Sequence, residues 1–578
     1  MAFNKTPYTS KQWKFSSQYS FIILFLILFS FLCFTLLLIS SRSQKELHKY
    51  TVVQYSSSAD VENELFRRNH RRIIRRIKIG LINVRNEEID ETLQLLGLSE
   101  ESRRRTEAVT VNFDRVNNSD WEALFPEWID EDEKWRSPKC PEIPMPRTEL
   151  YGDLDVVVLR NPPCGARDAA RLQANLAAAS VAVASGWVEQ DVHRTVHVSF
   201  VGACGPMREI FRCDDLVAMG GNDRTAEGVW VYKPEMRRLK QKILMPVGSC
   251  QLAPVYARTG REIWRKFMIQ KAPNKNNKDS TQPLRRSKPK EAYVTILHSS
   301  EAYVCGAIAL AQSILQTNTS KQLLLLADDS ITPKSIDALR AAGWTTERIH
   351  RIRSPRAEKG SYNEWNYSKL RIWQLAIYDK IIFIDADLLV LKNIDHLFAL
   401  PQLSAAANNK MRFNSGLMVV EPSACLFEDM MAKSFELESY NGGDQGFLNE
   451  VFTWWHRLPS KINHLKMFEK DNNESSDDAY AIHYLGLKPW MCYKDYDCNW
   501  DMADHHAFAS DSAHAKWWKV YEAMPTELQQ FCGLTKKMDS RIRKWRRIAK
   551  NNATNFPDAH WKIKITDPRR HRFMGIAQ

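Results

Sequence analysis

The sequence predicts an α/β protein whose largest domain is built on a doubly wound, mainly parallel sheet. Strand-like apolar runs alternate with helix-like segments between residues 291 and 391. A shorter β-α-β alternation lies between residues 78 and 270. At 578 residues the chain is also longer than one hydrophobic core usually organises, which favours two globular domains with accessory segments.

The first 77 residues contain a polar tail, an uncharged apolar run and a basic stem. Residues 21–40 read FIILFLILFSFLCFTLLLIS, and about 20 residues at roughly 1.5 Å each span a bilayer core of about 30 Å. We therefore predict a cytosolic tail at 1–20, a transmembrane signal anchor at 21–40 and a stem at 41–77. A cleaved signal peptide is the alternative, but the run is long for one and no A-x-A-like site follows it. The lysines of the tail favour a lumenal position for everything after the anchor.

The charge and the cysteine content of the chain narrow the range of possible functions. The net charge of +13 is compatible with nucleic-acid binding. However, the densest basic cluster, RRNHRRIIRRIK at 67–78, adjoins the predicted anchor. A solvated stem or a contact with lipid headgroups explains that cluster, so we predict no nucleic-acid partner. Of the 11 cysteines, ten lie outside the apolar run, a number compatible with disulfides in an oxidising compartment, and their spacings do not resemble a zinc site. Their connectivity and the oligomeric state stay open.

Two regions and a linker follow the stem. Residues 78–270 form an accessory α/β region with strands predicted at 78–84, 154–160 and 195–202 and an Ala-rich helix at 166–185. The polar, basic segment 271–290 is a linker. Residues 291–500 form the catalytic region, with strands at 293–297 and 323–327 and helices at 302–316 and 368–378. Residues 501–578 are an aromatic and basic C-terminal extension.

The run IIFIDADLLVL, from Ile381 to Leu391, places two acids where a buried apolar strand ends. Asp385 and Asp387 can there meet one hard cation, which a sugar diphosphate needs to neutralise the charge of its departing nucleotide. A bare D-x-D is weak evidence, because the chain holds three others. None of these others ends a strand: they begin at Asp130, Asp153 and Asp495.

Five sequence words around this D-x-D indicate a family. They are WNYSKLRIW (365–373), FIDADLLVL (383–391), FNSGLMVV (413–420), GGDQGFLNEVF (442–452) and HYLGLKPW (483–490). Their coincidence, in this order, resembles the glycogenin-like family of retaining glycosyltransferases over roughly residues 290–500. The N-terminal extension and the forms of the words are similar to the plant branch that transfers glucuronic acid from UDP-glucuronate to xylan.

The resemblance implies a nucleotide-diphospho-sugar transferase (GT-A-like, Rossmann-like) catalytic domain with a Mn²⁺ site. Asp385, Asp387 and His483 would ligate the metal, a mixed imidazole and carboxylate set that suits manganese. Lys488 would contact the donor diphosphate, and Lys369 would lie near the donor sugar or its phosphates. The other residues implied at the donor site are Ala386, the N-S-G turn of Asn414, Ser415 and Gly416, the loop of Asn441, Gly442, Gly443, Asp444 and Gln445, and Tyr484, Leu485, Gly486 and Leu487.

Asp444 or Gln445 would face the reactive side of the transferred sugar, although the G-G-D could equally be a turn with Asp444 as a helix N-cap. The resemblance implies glucuronosyl transfer to a xylan-type polysaccharide by a single-pass type II protein of the Golgi membrane. One alternative is a self-glucosylating or starch-priming transferase with the same metal site. The other is an inactive lumenal binding or scaffolding subunit, against which the retained metal ligands count. No nucleophile follows from the sequence, because it gives no distance between carboxylates.

Overall fold

The computed structural model describes residues 65, 76–116, 121–124, 143–186, 194–222, 227–244, 289–467 and 478–571. They belong to one compact unit, Ser58–Gln578. The predicted tail, the anchor at 21–40, most of the stem and nearly all of the linker at 271–290 lie outside these residues. A search of the described ranges finds no helix with the length and apolar character needed to cross a membrane.

Sixteen strands and eleven α-helices make up the described fold. The strands are β1 (Ile77–Ile82), β2 (Thr106–Val111), β3 (Val156–Arg160), β4 (His197–Gly202), β5 (Leu216–Asn222), β6 (Glu227–Tyr232), β7 (Glu291–Leu297), β8 (Gln322–Ala327), β9 (Thr345–Arg348), β10 (Lys380–Ile384), β11 (Leu388–Val390), β12 (Ser404–Ala407), β13 (Phe413–Val420), β14 (His456–Leu458), β15 (His464–Leu465) and β16 (Ala481–His483). The helices are α1 (Ile89–Leu95), α2 (Glu100–Arg104), α3 (Ala169–Gly186), α4 (Met236–Leu244), α5 (Val304–Gln316), α6 (Pro333–Ala341), α7 (Ala424–Lys433), α8 (Asp444–Val451), α9 (Asp511–Ala523), α10 (Thr526–Gln529) and α11 (Lys536–Asn551).

Three sheets organise these strands. A six-stranded sheet has the order β2-β1-β3-β4-β6-β5, a seven-stranded sheet the order β14-β12-β13-β10-β7-β8-β9, and a small sheet the order β11-β16-β15. The prediction of a mainly parallel sheet is right for β10, β7, β8 and β9. Strands β12 and β14 are parallel as well, whereas β13 runs antiparallel to both β10 and β12, so the sheet is mixed but mainly parallel. Every residue of β13 is buried, and an unbroken apolar run carries no sign of strand direction.

The central strands of the seven-stranded sheet are buried on both faces, and each face belongs to a different hydrophobic cluster. Val294 and Phe383 point to one face and share a cluster with Phe200 of the six-stranded sheet. Tyr293 and Ile382 alternate with them and share a second cluster with Trp517 of α9. The central sheet therefore packs between the N-terminal region and the C-terminal helices.

One predicted helix is of the wrong type. Residues 368–378 were expected to be an α-helix, but the segment is a 3₁₀ helix, Asn366–Gln374. Five of its side chains are fully buried, Tyr367, Ser368, Leu370, Ile372 and Trp373, and the large ones at 367, 370 and 373 are spaced three residues apart. That spacing matches the three residues per turn of a 3₁₀ helix, so this form places all three on one face.

Eight cysteines form four disulfides among the described residues. Two of them are local: Cys164 pairs with Cys204, and Cys492 pairs with Cys498. The other two join distant regions. The bond between Cys213 and Cys425 links the N-terminal region to α7, and the bond between Cys305 and Cys532 links α5 to the C-terminal region.

Candidate metal and donor site

Strand pairing brings together the three residues predicted as metal ligands. Strand β10 ends at Ile384, Asp385 to Asp387 form a turn, and β11 then pairs antiparallel with β16 so that Leu388 lies opposite His483. The backbone N–H of Tyr484 donates to the carbonyl oxygen of Asp387 at 3.0 Å. This register fixes His483 beside the D-x-D although about a hundred residues separate them in the chain.

The side chains of Asp385, Asp387 and His483 form a compact group. One ligand atom from each lies within 4.8 Å of the other two. The Nε2 atom of His483 is 3.3 Å from Oδ1 of Asp387, and the buried Nδ1 atom of His483 has no hydrogen-bond partner in the described part of the protein. Two carboxylates and an imidazole with an unpaired nitrogen fit a divalent cation, so the group is a candidate divalent metal site.

Lys488 lies on the other side of the Asp387 carboxylate. Its Nζ atom is 2.7 Å from Oδ2 of Asp387 and donates to the carbonyl oxygen of Tyr484. Burial disfavours an ionised Asp387, but the charges of Lys488 and His483 outweigh burial and lower the pKa of Asp387 below its usual range. The predicted metal ligand is therefore ionised, and the predicted diphosphate contact lies directly beside it.

Lys369 bridges two of the predicted acids. Its Nζ atom is 3.1 Å from Oδ1 of Asp385 and 2.6 Å from Oδ2 of Asp444. Burial disfavours the ammonium, but these two carboxylates outweigh it and raise the pKa of Lys369. Burial, together with the neighbouring carboxylates of Asp387 and Asp444, raises the pKa of Asp385 despite Lys369. The local balance is thus an excess of negative charge.

The N-S-G residues lie in strand β13, not in a turn, which corrects the prediction. The structure places them against the site: Asn414, Ser415 and Gly416. The Oγ atom of Ser415 donates to Oδ2 of Asp444 at 2.8 Å, and the carbonyl oxygen of Gly416 accepts from the N–H of Asp385 at 2.8 Å. A Cβ at position 416 would lie 2.5 Å from Cε1 of His483, so only glycine leaves room for the imidazole.

The second predicted loop reaches the same cluster through its last two residues. Helix α8 begins at Asp444 with Gly443 as N-cap, so the alternative of Asp444 as N-cap is wrong. The side-chain oxygen of Asn441 accepts from the N–H groups of Gly443 and Gly446 at 3.0 and 3.1 Å. Oε1 of Gln445 accepts from the N–H of Ser415 at 3.1 Å, while Gly442 accepts from Ser354 through its carbonyl oxygen at 2.7 Å.

The H-Y-L-G-L-K-P-W word contributes two side chains to the site and uses most of the others structurally. Tyr484 is fully buried, and its hydroxyl donates to the carbonyl oxygen of Ala513 at 2.8 Å. Leu487 packs against a hydrophobic cluster of the C-terminal region. Gly486 has a φ of +68°, a conformation that favours glycine. The side chains of Tyr484 and Leu487 therefore lie away from the metal group. Ala386 is buried in the hydrophobic cluster that contains Tyr293, and Leu485 is half-buried.

The sequence did not predict the hydrogen bonds that hold the segment between His483 and Lys488 in place. The side-chain oxygen of Asn499 accepts from the N–H of Leu487 at 2.8 Å, and its amide nitrogen donates to the carbonyl oxygen of Leu487 at 3.0 Å. Asp497 in turn accepts from the amide nitrogen of Asn499 at 2.6 Å and is paired with the buried Lys466 at 2.5 Å. The N–H of Lys466 donates to the carbonyl oxygen of His483. Asp497 belongs to the D-x-D at 495–497, and no pattern in the sequence connects that pair with the site.

Comparison with known proteins agrees with this geometry. Residues 45–250 match the family model described as the GUX1-5 N-terminal domain, and residues 294–407 match Glycosyl transferase family 8. The chain is 52% identical to putative UDP-glucuronate:xylan alpha-glucuronosyltransferase 5 of Arabidopsis thaliana, with 86% of each chain covered. It is 46% identical to UDP-glucuronate:xylan alpha-glucuronosyltransferase 2 of the same plant, covering 92% of this chain and 87% of that one.

The chain belongs to the UDP-glucuronate:xylan alpha-glucuronosyltransferase family. This confirms the resemblance drawn from the five words, including the plant branch. Human glycogenin-1 is a more distant relative, 31% identical over 43% of this chain and 76% of its own length. The family therefore extends over both the N-terminal region and the region that carries the metal group.

Proposed function

We propose that this protein transfers glucuronic acid from UDP-glucuronate to a xylan-type polysaccharide, with retention of anomeric configuration and with Mn²⁺ as its cofactor. The observation that carries the proposal is the group of Asp385, Asp387 and His483, flanked by Lys488 and Lys369. Membership of a family whose relatives are named for this donor and acceptor supports the substrate assignment.

The three ligands would hold the metal, which supplies Lewis-acid charge against the donor diphosphate. One imidazole and two carboxylates suit Mn²⁺ better than Mg²⁺ or Ca²⁺, which prefer all-oxygen sites. The ammonium of Lys488, 2.7 Å from Asp387, lies where it can meet the diphosphate and stabilise the departing UDP. Lys369 pairs with Asp385 and Asp444, and either Asp444 or Gln445 would face the reactive side of the transferred sugar. Whether retention uses a covalent intermediate or same-face attack stays open.

We also propose a GT-A-like, Rossmann-like catalytic domain at 291–500, an accessory region at 78–270, and a type II orientation in the Golgi membrane through the anchor at 21–40. The four disulfides support an oxidising, lumenal environment for the described part of the chain. Protease treatment of intact Golgi vesicles tests the orientation: only the short tail should be removed. Digestion of the large domain without detergent would refute it.

The function is tested with the purified protein, Mn²⁺ and a panel of UDP-sugars, with and without xylan oligosaccharides. We expect transfer from UDP-glucuronate that needs both the oligosaccharide and the metal. Glucosylation of the protein itself, or extension of a starch-type primer, would instead support the self-glucosylating alternative. Binding of xylan without transfer from any donor would indicate a scaffolding subunit.

A further inference from the structure

UDP-glucuronate carries a carboxylate on the sugar that UDP-glucose lacks. In the proposed sugar site Asp385 and Asp444 share the single ammonium of Lys369, at 3.1 and 2.6 Å, so the carboxylate of the donor sugar needs a further cation. Burying an unpaired carboxylate is costly, and a protein that selects this donor therefore needs a positive group positioned for it. This requirement rests on the proposed function.

Most cations near the site already have partners. Lys369 faces Asp385 and Asp444, and Lys488 faces Asp387. Three arginines on a neighbouring segment are also engaged: Arg351 stacks on Trp365 and lies 3.9 Å from Asp328, Arg353 pairs with Glu364, and Arg356 donates to the carbonyl oxygens of residues 435–437.

Arg412 is different. It precedes β13 by one residue, so it lies at the same end of that strand as Ser415 and Gly416. Its guanidinium has no carboxylate within 4.0 Å and makes no hydrogen bond within the described ranges, and it stacks 4.2 Å from the ring centre of Tyr440. Stacking fixes the plane of the guanidinium and leaves its N–H edge available to an anion.

A short chain of contacts connects Arg412 to the proposed sugar site. The Tyr440 hydroxyl accepts from Nε2 of Gln445 at 2.7 Å, and Oε1 of Gln445 accepts from the N–H of Ser415 at 3.1 Å. Ser415 donates in turn to Asp444 at 2.8 Å. Tyr440 thus contacts the Arg412 guanidinium with its ring and the Gln445 side chain with its hydroxyl.

We propose that Arg412, held by Tyr440 beside Gln445, is the subsite for the carboxylate of the donor's glucuronosyl group. A planar guanidinium presents paired N–H groups that match a carboxylate in two parallel hydrogen bonds. The subsite favours UDP-glucuronate over UDP-glucose and adds nothing to the binding of UDP itself. Arg412 acts in donor specificity, whereas Lys369 and Lys488 act on groups common to all UDP-sugars.

The test is calorimetric titration of the full-length protein, with Mn²⁺ present, by UDP, UDP-glucose and UDP-glucuronate. Arg412→Ala should weaken UDP-glucuronate binding by roughly 10- to 100-fold, as expected for a lost hydrogen bond to a charged group. Its affinities for UDP and UDP-glucose should match wild type, which also shows that the site is folded. Arg412→Lys keeps the charge without the planar fork and should fall between the two.

Lys410→Gln is the matched control. Lys410 is a cation on the same turn, but its ammonium pairs with Glu122 at 3.4 Å, so its loss should leave the preference for UDP-glucuronate intact. Equal weakening of all three ligands in Arg412→Ala, or an undiminished preference for UDP-glucuronate, would overturn the subsite. If the wild-type protein nevertheless transfers glucuronic acid to xylan, such a result would overturn the subsite alone and the proposed function would stand. A wild type that prefers UDP-glucose would defeat the proposed donor and the subsite together.

Discussion

Two buried charged clusters lie at opposite ends of the same pair of strands. At one end, β10 is followed by Asp385 and Asp387, and β13 begins with the residues that pack against them. At the other end, β10 starts with Lys380 and β13 is followed by Glu421. The carboxylate of Glu421 is 3.3 Å from Lys380 and 3.2 Å from Arg212 of the N-terminal region.

The two clusters differ in their balance of charge. Around Glu421, cations outnumber acids: burial disfavours its ionisation, but Lys380, Lys242 and Arg212 outweigh burial and lower its pKa to about 2. Around the metal group, acids outnumber cations, the pKa of Asp385 is raised, and a nitrogen of His483 lacks a partner. The first cluster balances one carboxylate with three cations and joins two regions of the protein. The metal group has an excess of carboxylates and an unpaired imidazole nitrogen, and a bound cation would neutralise the first and coordinate to the second.

The largest expected effect is on the metal cluster. Asp387→Ala should lower the turnover of transfer by about 10³-fold or more, because it removes a ligand from a metal that contributes several kcal/mol to transition-state stabilisation. The variant should stay folded, but its thermal unfolding midpoint should fall, because Lys488 loses the carboxylate with which it pairs. Steady-state assays and a melting curve on the same preparation measure both. Wild-type turnover in this variant would show that the cluster holds no catalytic metal.

A second variant tests whether the charge of Lys488 acts on turnover or only on binding of the donor. Lys488→Ala removes a charge proposed to act on departing UDP, so turnover should fall on the order of 10²-fold with a smaller change in KM. Lys488→Arg keeps the charge but changes its shape, and only partial recovery is expected. Kinetics with varied UDP-glucuronate decide the matter: an effect confined to KM would assign Lys488 to ground-state binding instead.

A change in the Glu421 cluster should lower the stability of the protein and leave its turnover unchanged. Glu421→Gln keeps the shape but leaves Lys380, Lys242 and Arg212 without their shared counter-charge, and breaking a buried ion pair in this way costs about 3–5 kcal/mol of unfolding free energy. The folded fraction should transfer glucuronic acid at the wild-type rate. Chemical denaturation followed by fluorescence gives the stability, and an unchanged midpoint would mean that the cluster is not structural.

The smallest expected effect is a pH dependence near the Glu421 cluster. Burial, aided by Lys242, lowers the pKa of His456 to about 3. The unfolded chain therefore binds a proton below about pH 6.5 that the folded protein does not, and this contribution to stability is lost as the pH falls from about 6.5 towards 3. The slope should be about 1.4 kcal/mol per pH unit. Denaturation between pH 7 and 5 in wild type and His456→Gln checks this, since the variant should lack that part of the slope.

The sequence predicted one cluster far better than the other, and the reason is locality. Asp385 and Asp387 follow an apolar run directly, so strand and acids are read from one short word. His483 was found only through its family word, because the pairing of β11 with β16 that brings it near Asp387 is not local. Nothing in the sequence indicated the pairing of Arg212 with Glu421, which are 209 residues apart.

Other failures have similar causes. The N-S-G residues were expected in a turn because the family resemblance implied one, but pairing with β10 and β12 holds them in a strand. The role of Asn499 could not be read either, since its two hydrogen bonds go to the backbone of Leu487 and not to another side chain. Contacts to backbone leave no pattern in residue type that a single sequence reveals.

The most direct test of the central claim is Mn²⁺ binding itself. Paramagnetic resonance of the purified protein titrated with Mn²⁺ in the presence of UDP should report one tightly bound ion per chain in wild type. His483→Ala and Asp387→Ala should each weaken that binding by roughly 10-fold or more, since even loss of a residue that only orients a ligand costs about this much, while Glu421→Gln should leave it unchanged. Equal Mn²⁺ affinity in all four proteins would contradict the assignment of Asp385, Asp387 and His483 as the metal site.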